Sequence, residues 1–352
     1  MAHDEALVAR VLAEARAEAR AELERLFAAR RETGYGPLYD LLSDYPFREG
    51  KGLRPAICLA ACRAAGGRTE HARVSAAALE LFHNAFLIHD DVEDGSQFRR
   101  GQVTLFEAHG VPIAINVGDA TNVLAMGHLL ANAELLGVRK TLLILREVER
   151  MARESVEGQA IELGWIREGR FDLEDRDYAR MAYKKTCWYT VIAPLRIGVI
   201  CGVPPGPTAP VDGELIPLIE LGHLAGIAFQ ISDDVLNLQA DEALYGKEIS
   251  GDLLEGKRTV MLLHFVRTAR GATLARALRL LHRARADKPP DEVAWLLGAM
   301  VEAGSIEYGR ALARSWSERA LELDARGLPC LLENDDRRFL REMLRYVIDR
   351  NK

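Results

Sequence analysis

Apolar residues recur three and four positions apart along most of the chain, notably through residues 53–65, 74–89, 113–136, 142–163 and 178–201. This spacing places apolar side chains on one face of an α-helix. Runs that alternate apolar and polar residues, as strands do, are scarce. The pattern therefore predicts an all-α protein.

Helix-breaking residues interrupt this pattern at 66–67, 110–112, 202–212 and 287–290, and none of these breaks is long enough to be an interdomain linker. Residues 1–31 form a helical apolar stripe flanked by Arg and Glu, and Gly and Pro follow before residue 38. We therefore expect a charged N-terminal helix in residues 1–34 and a single domain in residues 35–352.

Composition excludes several classes of protein. The 352 residues are 49% apolar and 28% charged, as in globular proteins, and the net charge of -6 gives no basic surface for nucleic acid. Five cysteines without C-x-x-C spacing argue against disulfides or structural zinc, so we expect a cytoplasmic location. There is no apolar signal segment, and the apolar stretch 187–203 is too short to span a membrane, so we expect no transmembrane segment.

The first acidic cluster ends an apolar helix that reads LELFHNAFLIHDDVED over residues 79–94. Helical spacing places His83, Asp90, Asp91 and Asp94 along one face. Carboxylates this close repel each other and raise each other's pKa, so the cluster is unfavourable unless cations occupy it.

A second segment, GIAFQISDDVLN over residues 226–237, aligns Gln230, Asp233, Asp234 and Asn237 in the same way. Mg²⁺ prefers carboxylate oxygens and commonly joins one or two of them to substrate phosphates. One such cluster is weak evidence, because a solvated helix end gives the same pattern. The recurrence favours a Mg²⁺ site made by Asp90, Asp91, Asp94, Asp233 and Asp234.

Basic residues of the kind that bind phosphate accompany the acidic clusters. Arginine offers a planar fork to phosphate oxygens and lysine a point charge, and neighbouring glycines let the backbone approach closely. These residues are Lys51 and Arg54 in GKGLRP, Arg99 and Arg100 in FRRG, Lys185 in KKTC, and Lys247 and Lys257 in YGKEISGDLLEGKRT.

Over roughly residues 35–350 these motifs resemble the trans-isoprenyl diphosphate synthases, or polyprenyl synthetase family, with geranylgeranyl diphosphate synthases as the nearest type. The resemblance is carried by G-K-x-x-R-P, by D-D-x-x-D followed by R-R-G, and by the pairs G-Q, K-T, F-Q and G-K. It implies a single-domain helical bundle of the isoprenoid synthase type around a central apolar cavity. It also implies a homodimer and Mg²⁺ as cofactor, about three ions per active site, with Mn²⁺ as a substitute.

The resemblance also assigns roles to residues. Isopentenyl diphosphate is expected to bind Lys51, Arg54, His83 and Arg100. The allylic diphosphate is expected to bind Arg99, Lys185, Gln230 and Lys247. Thr186 and Lys257 are further substrate-binding candidates. Asp90, Asp91, Asp94, Arg99, Lys185, Asp233 and Asp234 form the implied catalytic set.

Four positions depart from the family pattern. Gly52 stands where many members have a second basic residue, and Asn237 replaces the third aspartate of the second motif. Cys187 replaces the small residue that often follows K-T. Glu162 replaces an aspartate that often follows G-Q. None of these removes a group that the chemistry requires.

The expected reaction is prenyl transfer. Metal-assisted ionisation of the allylic diphosphate gives an allylic cation, the double bond of isopentenyl diphosphate attacks it, and the departing diphosphate takes the proton. The segment 247–257 is a candidate lid that excludes water.

Product length should depend on the helix that carries the first acidic cluster. Phe86 and Phe82 lie about 6 and 12 Å before Asp90 at a rise of about 1.5 Å per residue, so both are candidate floors unless they are plain core aromatics. Ala85 leaves space where short-chain members often have a ring. We therefore expect a C20 product from C5 to C15 primers, with C15 or C25 and longer as alternatives.

Two other functions fit parts of the sequence. A terpene cyclase of the same fold also uses D-D-x-x-D and Mg²⁺, but it has no use for Lys51, Arg54 and Arg100. A non-catalytic subunit of a heteromeric synthase would keep the fold but lose the acidic residues, and both clusters are present here.

Overall fold

The computed structural model describes residues 4–48, 50–204, 212–239 and 250–349. It confirms an all-α fold, with one two-residue hairpin of β1 (Phe98–Arg99) and β2 (Gln102–Val103). A π-helix spans Tyr183–Ile192, and 3₁₀ turns span Asp212–Leu215 and Arg285–Asp287. The α-helices are α1 (Glu5–Thr33), α2 (Gly36–Phe47), α3 (Leu53–Ala64), α4 (Thr69–Asp94), α5 (Leu105–His109), α6 (Val111–Leu129), α7 (Asn132–Leu136), α8 (Val138–Arg167), α9 (Asp175–Ala182), α10 (Ala193–Gly202), α11 (Ile216–Gln239), α12 (Gly251–Glu255), α13 (Val260–Thr268), α14 (Gly271–Leu281), α15 (Pro290–Glu302), α16 (Ser305–Ala325) and α17 (Asp335–Asp349).

The predicted breaks at 66–67, 110–112 and 287–290 coincide with helix ends. Most of the break at 202–212 lies outside the described residues. The stretch 178–201 differs from the single helix that its periodicity suggests, because the π-helix separates α9 from α10. A π-helix changes the turn by one residue without changing the apolar pattern, so periodicity does not reveal it.

The two helices that carry the acidic motifs lie in the middle of the bundle. Helix α4 packs against α6 and α3, and α11 packs against α16 and the π-helix. Each acidic motif lies in the last turns of its helix, as predicted. The apolar residues that precede each motif belong to the buried core. Their packing holds the ends of both helices in place.

Helix α1 packs against α2, α3, α4 and α17, and its apolar stripe is buried. The stripe therefore joins the core of the bundle. A domain boundary at residue 34 stays a prediction.

Within the described residues, Gly213–Gln239 is long and apolar enough to span a membrane by length and composition. In the fold 56% of its apolar window is buried, as expected for a core helix. The stretch 187–203 is buried too, which agrees with its interpretation as core. All five cysteines are free thiols.

Candidate active site

One cavity of about 360 Å³ is lined by residues of both acidic motifs. Asp90 and Asp94 reach it from the end of α4, and Asp233 and Asp234 reach it from the end of α11. Because the two helices end at the same cavity, two motifs that are far apart in sequence can act on one ligand.

The first motif divides its three carboxylates between the cavity and the core. Asp90 and Asp94 line the cavity, whereas Asp91 is 1% exposed and bonded inside the protein. Arg99 donates from Nε to Asp91 Oδ1 at 2.9 Å, and the Tyr45 hydroxyl donates to Asp91 Oδ2 at 2.5 Å. In the structure Asp91 therefore holds Arg99 in place, and its role as a metal ligand stays a prediction.

Lys185 and Lys257 lie among the carboxylates that line this cavity. Burial raises the pKa of Asp90. Burial acts the same way on Asp94, but Lys257, whose Nζ lies 2.9 Å from Asp94 Oδ2, and then Lys185 hold the pKa of Asp94 below its usual value. Burial lowers the pKa of Lys185, yet its ion pair with Glu162 outweighs that effect and raises it. Glu162, which stands in place of the aspartate of the family pattern, therefore still gives Lys185 a carboxylate partner.

The second acidic motif is linked by hydrogen bonds to residues of the F-Q and K-T pairs. Asp234 accepts hydrogen bonds from the Tyr178 hydroxyl at 2.7 Å and from Gln230 Nε2 at 2.6 Å. Gln230 Oε1 in turn accepts from the Thr186 hydroxyl at 2.6 Å. Burial, and next the charge of Asp252, raises the pKa of Asp234 well above its usual value. The cavity-lining Asp252 and Tyr178 were not among the predicted site residues.

This donor set suits a hydrated divalent cation shared with a ligand. Within the described residues, no group of three His, Cys, Asp or Glu side chains is arranged to hold a metal alone. Mg²⁺ is commonly held by one or two carboxylates and completed by water and phosphate. Buried acids such as Asp90 gain most from such a cation, because burial disfavours their ionised form.

A group of cations, called here the cationic end, also lines the cavity. Lys51, Arg54, Arg99 and Arg100 line it together with His83, and Glu80 is the acid nearest in sequence to that histidine. Burial lowers the pKa of Arg100, and although Glu80 opposes this, the charges of Arg99 and Arg54 lower it further. Cations packed this closely are unfavourable alone, so this end is suited to an anion.

Arg54 is buried and held by two contacts. Nη2 donates to Thr190 Oγ1 at 2.9 Å, and the guanidinium stacks over the Tyr189 ring at 4.4 Å. The buried Nε has no hydrogen-bond partner in the described part of the chain. A buried donor without a partner costs about 1–3 kcal/mol, so a ligand oxygen here would remove a penalty.

The departure at Gly52 has a backbone reason. Gly52 has φ +65°, a left-handed conformation that side chains other than glycine rarely adopt. A Cβ there would also lie 3.0 Å from Arg16 Cβ on α1. A second basic residue at this position would therefore strain the loop that carries Lys51.

The G-Q pair acts through its glycine. Lys185 and Thr186 lie on the π-helix, and α8 crosses it at Gly158. A Cβ on Gly158 would lie 2.2 Å from Lys185 N, so only glycine allows this approach. Gln159 instead donates to Glu93 on the exposed side.

The residues predicted to set product length do not line the cavity as the described residues form it. Phe82 and Ala85 are buried in the core. Phe86 meets Tyr189 edge to face, with ring centroids 5.6 Å apart, and Tyr189 lines the cavity. Phe86 therefore acts on the cavity through Tyr189, which the sequence did not single out. Lys247 lies outside the described residues.

The bundle and its cavity define an all-α protein with the isoprenoid synthase fold. Its structure is similar to that of a geranylgeranyl pyrophosphate synthetase from Pyrococcus horikoshii, with a TM-score of 0.81, 30% identity, and 98% of this chain and 99% of the other covered.

Relatives are similar over most of their length. A short chain isoprenyl diphosphate synthase of Methanothermobacter thermautotrophicus is 31% identical over 303 residues, 86% of each chain. An octaprenyl diphosphate synthase of Escherichia coli is 31% identical over 274 residues, 77% of this chain and 78% of that protein. Residues 37–299 match the Polyprenyl synthetase family. The chain belongs to that family.

Proposed function

We propose that the chain condenses isopentenyl diphosphate head-to-tail with an allylic diphosphate and releases diphosphate. The observation that carries this proposal is a single cavity that is lined by carboxylates of α4 and α11 and also by Arg54 among other cations. Two diphosphates with different requirements fit such a cavity: one that shares a metal with carboxylates, and one that binds cations directly.

Each end of the cavity has a distinct task. Asp90, Asp94 and Asp233 are the proposed Mg²⁺ ligands; Mg²⁺, when bound, neutralises the charge of the leaving diphosphate. Lys185 and Lys257 lie among these carboxylates and can donate to the same phosphate oxygens.

The second substrate is oriented at the cationic end. Lys51, Arg54, His83 and Arg100 hold isopentenyl diphosphate so that its double bond faces the allylic carbon, and the departing diphosphate accepts the proton that is lost. Leu87, Phe229 and Tyr189 line the space in between and exclude water from the cation.

The proposed product is C20. The support is the contact of Phe86 with Tyr189, which places an aromatic pair beside the cavity, whereas Ala85 lies in the core. Relatives of similar identity carry names for different product lengths, so overall identity does not decide the length.

We also propose a cytoplasmic homodimer. Helix α6 exposes several large apolar side chains, a surface that a second copy can cover: Val111, Ile113, Ile115, Val123 and Met126. The five free cysteines fit a reducing compartment.

The test supplies C5, C10 and C15 primers separately, each with and without isopentenyl diphosphate, and identifies products by mass. We expect elongated diphosphates up to C20 with Mg²⁺ or Mn²⁺ and none with EDTA. Hydrocarbon formed without isopentenyl diphosphate would indicate a cyclase instead. Asp90→Asn and Asp233→Asn are the matched inactive variants.

A further inference from the structure

The short helix α12 carries Asp252 and is followed by Lys257, and both residues line the cavity. We propose that Asn237 and Lys288 are positioning residues that clamp the two ends of α12 and thereby fix Asp252 and Lys257 at the cavity. The inference deepens the proposed function and rests on it for its effect on turnover.

Asn237 holds the first end of α12. Its side-chain Oδ1 accepts from the backbone N–H of Asp252 at 3.1 Å, and its backbone carbonyl accepts from the N–H of Ser250 at 2.9 Å. Ser250 has φ +61°, which is unfavourable for a residue other than glycine or asparagine. The two hydrogen bonds from α11 offset this strain.

This contact gives the departure from the family motif a physical reason. Asn237 lies one turn after Asp234, and Asp252 already raises the pKa of Asp234. An aspartate at 237 would add another negative charge beside these two. Asparagine keeps the acceptor that α12 needs without that charge.

Lys288 holds the other end of α12. Its Nζ donates to the carbonyls of Leu253 at 3.0 Å and Leu254 at 2.7 Å, groups that have no partner within a helix this short. Lys288 is 6% exposed, and no carboxylate in the described part of the chain lies within ion-pair distance of it. Burial, and next the charges of Arg258 and Arg285, lowers its pKa to about 8.

Gly256 shows how closely this end is held. It has φ +75°, and a Cβ there would lie 3.3 Å from Arg258 Nη1 and 3.5 Å from Lys288 Nζ. The next residue, Lys257, is thereby directed to Asp94, with Nζ 2.9 Å from Oδ2. Residues 250–257, the described part of the segment expected as a lid, are thus anchored at both ends.

The test compares Lys288→Met and Asn237→Leu with Asn237→Asp, which keeps the acceptor. Matched controls are Arg283→Met, an exposed residue of the same connection, and Gln239→Leu, at the end of the same helix. Hydrogen exchange of a peptide covering residues 250–257 should quicken about tenfold in Asn237→Leu, which loses one side-chain hydrogen bond to α12, since one bond of about 1.4 kcal/mol corresponds to a factor of about ten. It should quicken at least tenfold in Lys288→Met, which loses two. Asn237→Asp should restore protection, and the controls should match the wild type.

Turnover separates positioning from a general structural role. We expect kcat to fall at least tenfold in Lys288→Met and Asn237→Leu, with KM for isopentenyl diphosphate within twofold of wild type, because its site is at the other end of the cavity. Exchange and kcat like those of the controls would overturn the clamp, and so would a parallel change of kcat and both KM values. If the wild type shows no prenyl transfer, the proposed function fails while the exchange data still judge the clamp.

Discussion

The contact between α8 and the π-helix at Gly158 gives the sharpest prediction, because it joins two backbones. A Cβ at Gly158 would lie 2.2 Å from Lys185 N and 2.5 Å from Lys185 Cα. Ordinary contact needs about 3.4 Å, so Gly158→Ala must move the helices apart by about 1 Å. The atoms in the way are backbone atoms, so no side chain can rotate to relieve the overlap.

The cost follows from this displacement. Overpacking of a tight interior costs about 1–3 kcal/mol. With 352 residues and an unfolding entropy of about 2.1 cal/mol/K per residue, each kcal/mol lowers Tm by about 1.4 °C, so we expect a loss of about 1.5–4 °C. Activity should suffer more, because a shift of about 1 Å in a positioning group such as Lys185 can cost about a hundredfold.

Gly164→Ala is the matched control on the same helix. A Cβ at Gly164 meets nothing within 4 Å, so alanine should stabilise α8 by about 0.5–1 kcal/mol and leave activity unchanged. Thermal unfolding and steady-state kinetics with a C15 primer measure both quantities. Wild-type kcat in Gly158→Ala would refute the reasoning, since Lys185 would then tolerate the displacement.

Four further predictions follow from other contacts. Phe86→Ala should lengthen the product by removing the ring behind Tyr189, and an unchanged product spectrum by mass would exclude Phe86 from length control. Arg54→Met should raise KM for isopentenyl diphosphate by about 10- to 100-fold and leave KM for the primer unchanged, since a hydrogen bond to a charged group contributes about 1.5–3 kcal/mol; equal changes in both values would contradict this. Glu147→Ala should lower the free energy of unfolding, measured in urea, by about 3–5 kcal/mol. The variant leaves the buried Arg196 without the carboxylate to which its Nε and Nη2 both donate at 2.6 Å. A loss under 1 kcal/mol would show that water reaches the site. Calorimetry in EDTA should still detect isopentenyl diphosphate binding but not binding of an unreactive allylic analogue, and loss of both would mean that the cationic end also needs metal.

The helical fold and the meeting of two acidic motifs at one cavity were predictable from the sequence. Apolar periodicity fixes which face of each helix is buried, and an acidic run at a helix end marks where that face meets solvent or a ligand. The position of Asp91 was not predictable, because adjacent helix residues differ by about 100° and its partner Tyr45 belongs to another helix.

Other parts of the site depend on contacts that a pattern of residue types does not encode. The π-helix has the same apolar spacing as its neighbours, so Tyr189 looked like a core aromatic. Asp252 lies on a helix of five residues, too short to show an apolar period, and Lys288, far along the chain, resembled any surface lysine beside prolines. Both acquire a role only when α12 is placed against α11.

The charges that line the cavity give each of the two diphosphate substrates a different binding region. At the acidic end the lysines already pair with Glu162 and Asp94, so a diphosphate without a metal meets more negative charge than positive. At the cationic end Arg54 keeps an unpaired donor, so a diphosphate is attracted directly. We propose that a metal-bound diphosphate binds at the acidic end and a metal-free one at the cationic end. The direction of the condensation then follows from the allylic substrate, since only its diphosphate can leave to give a stabilised cation.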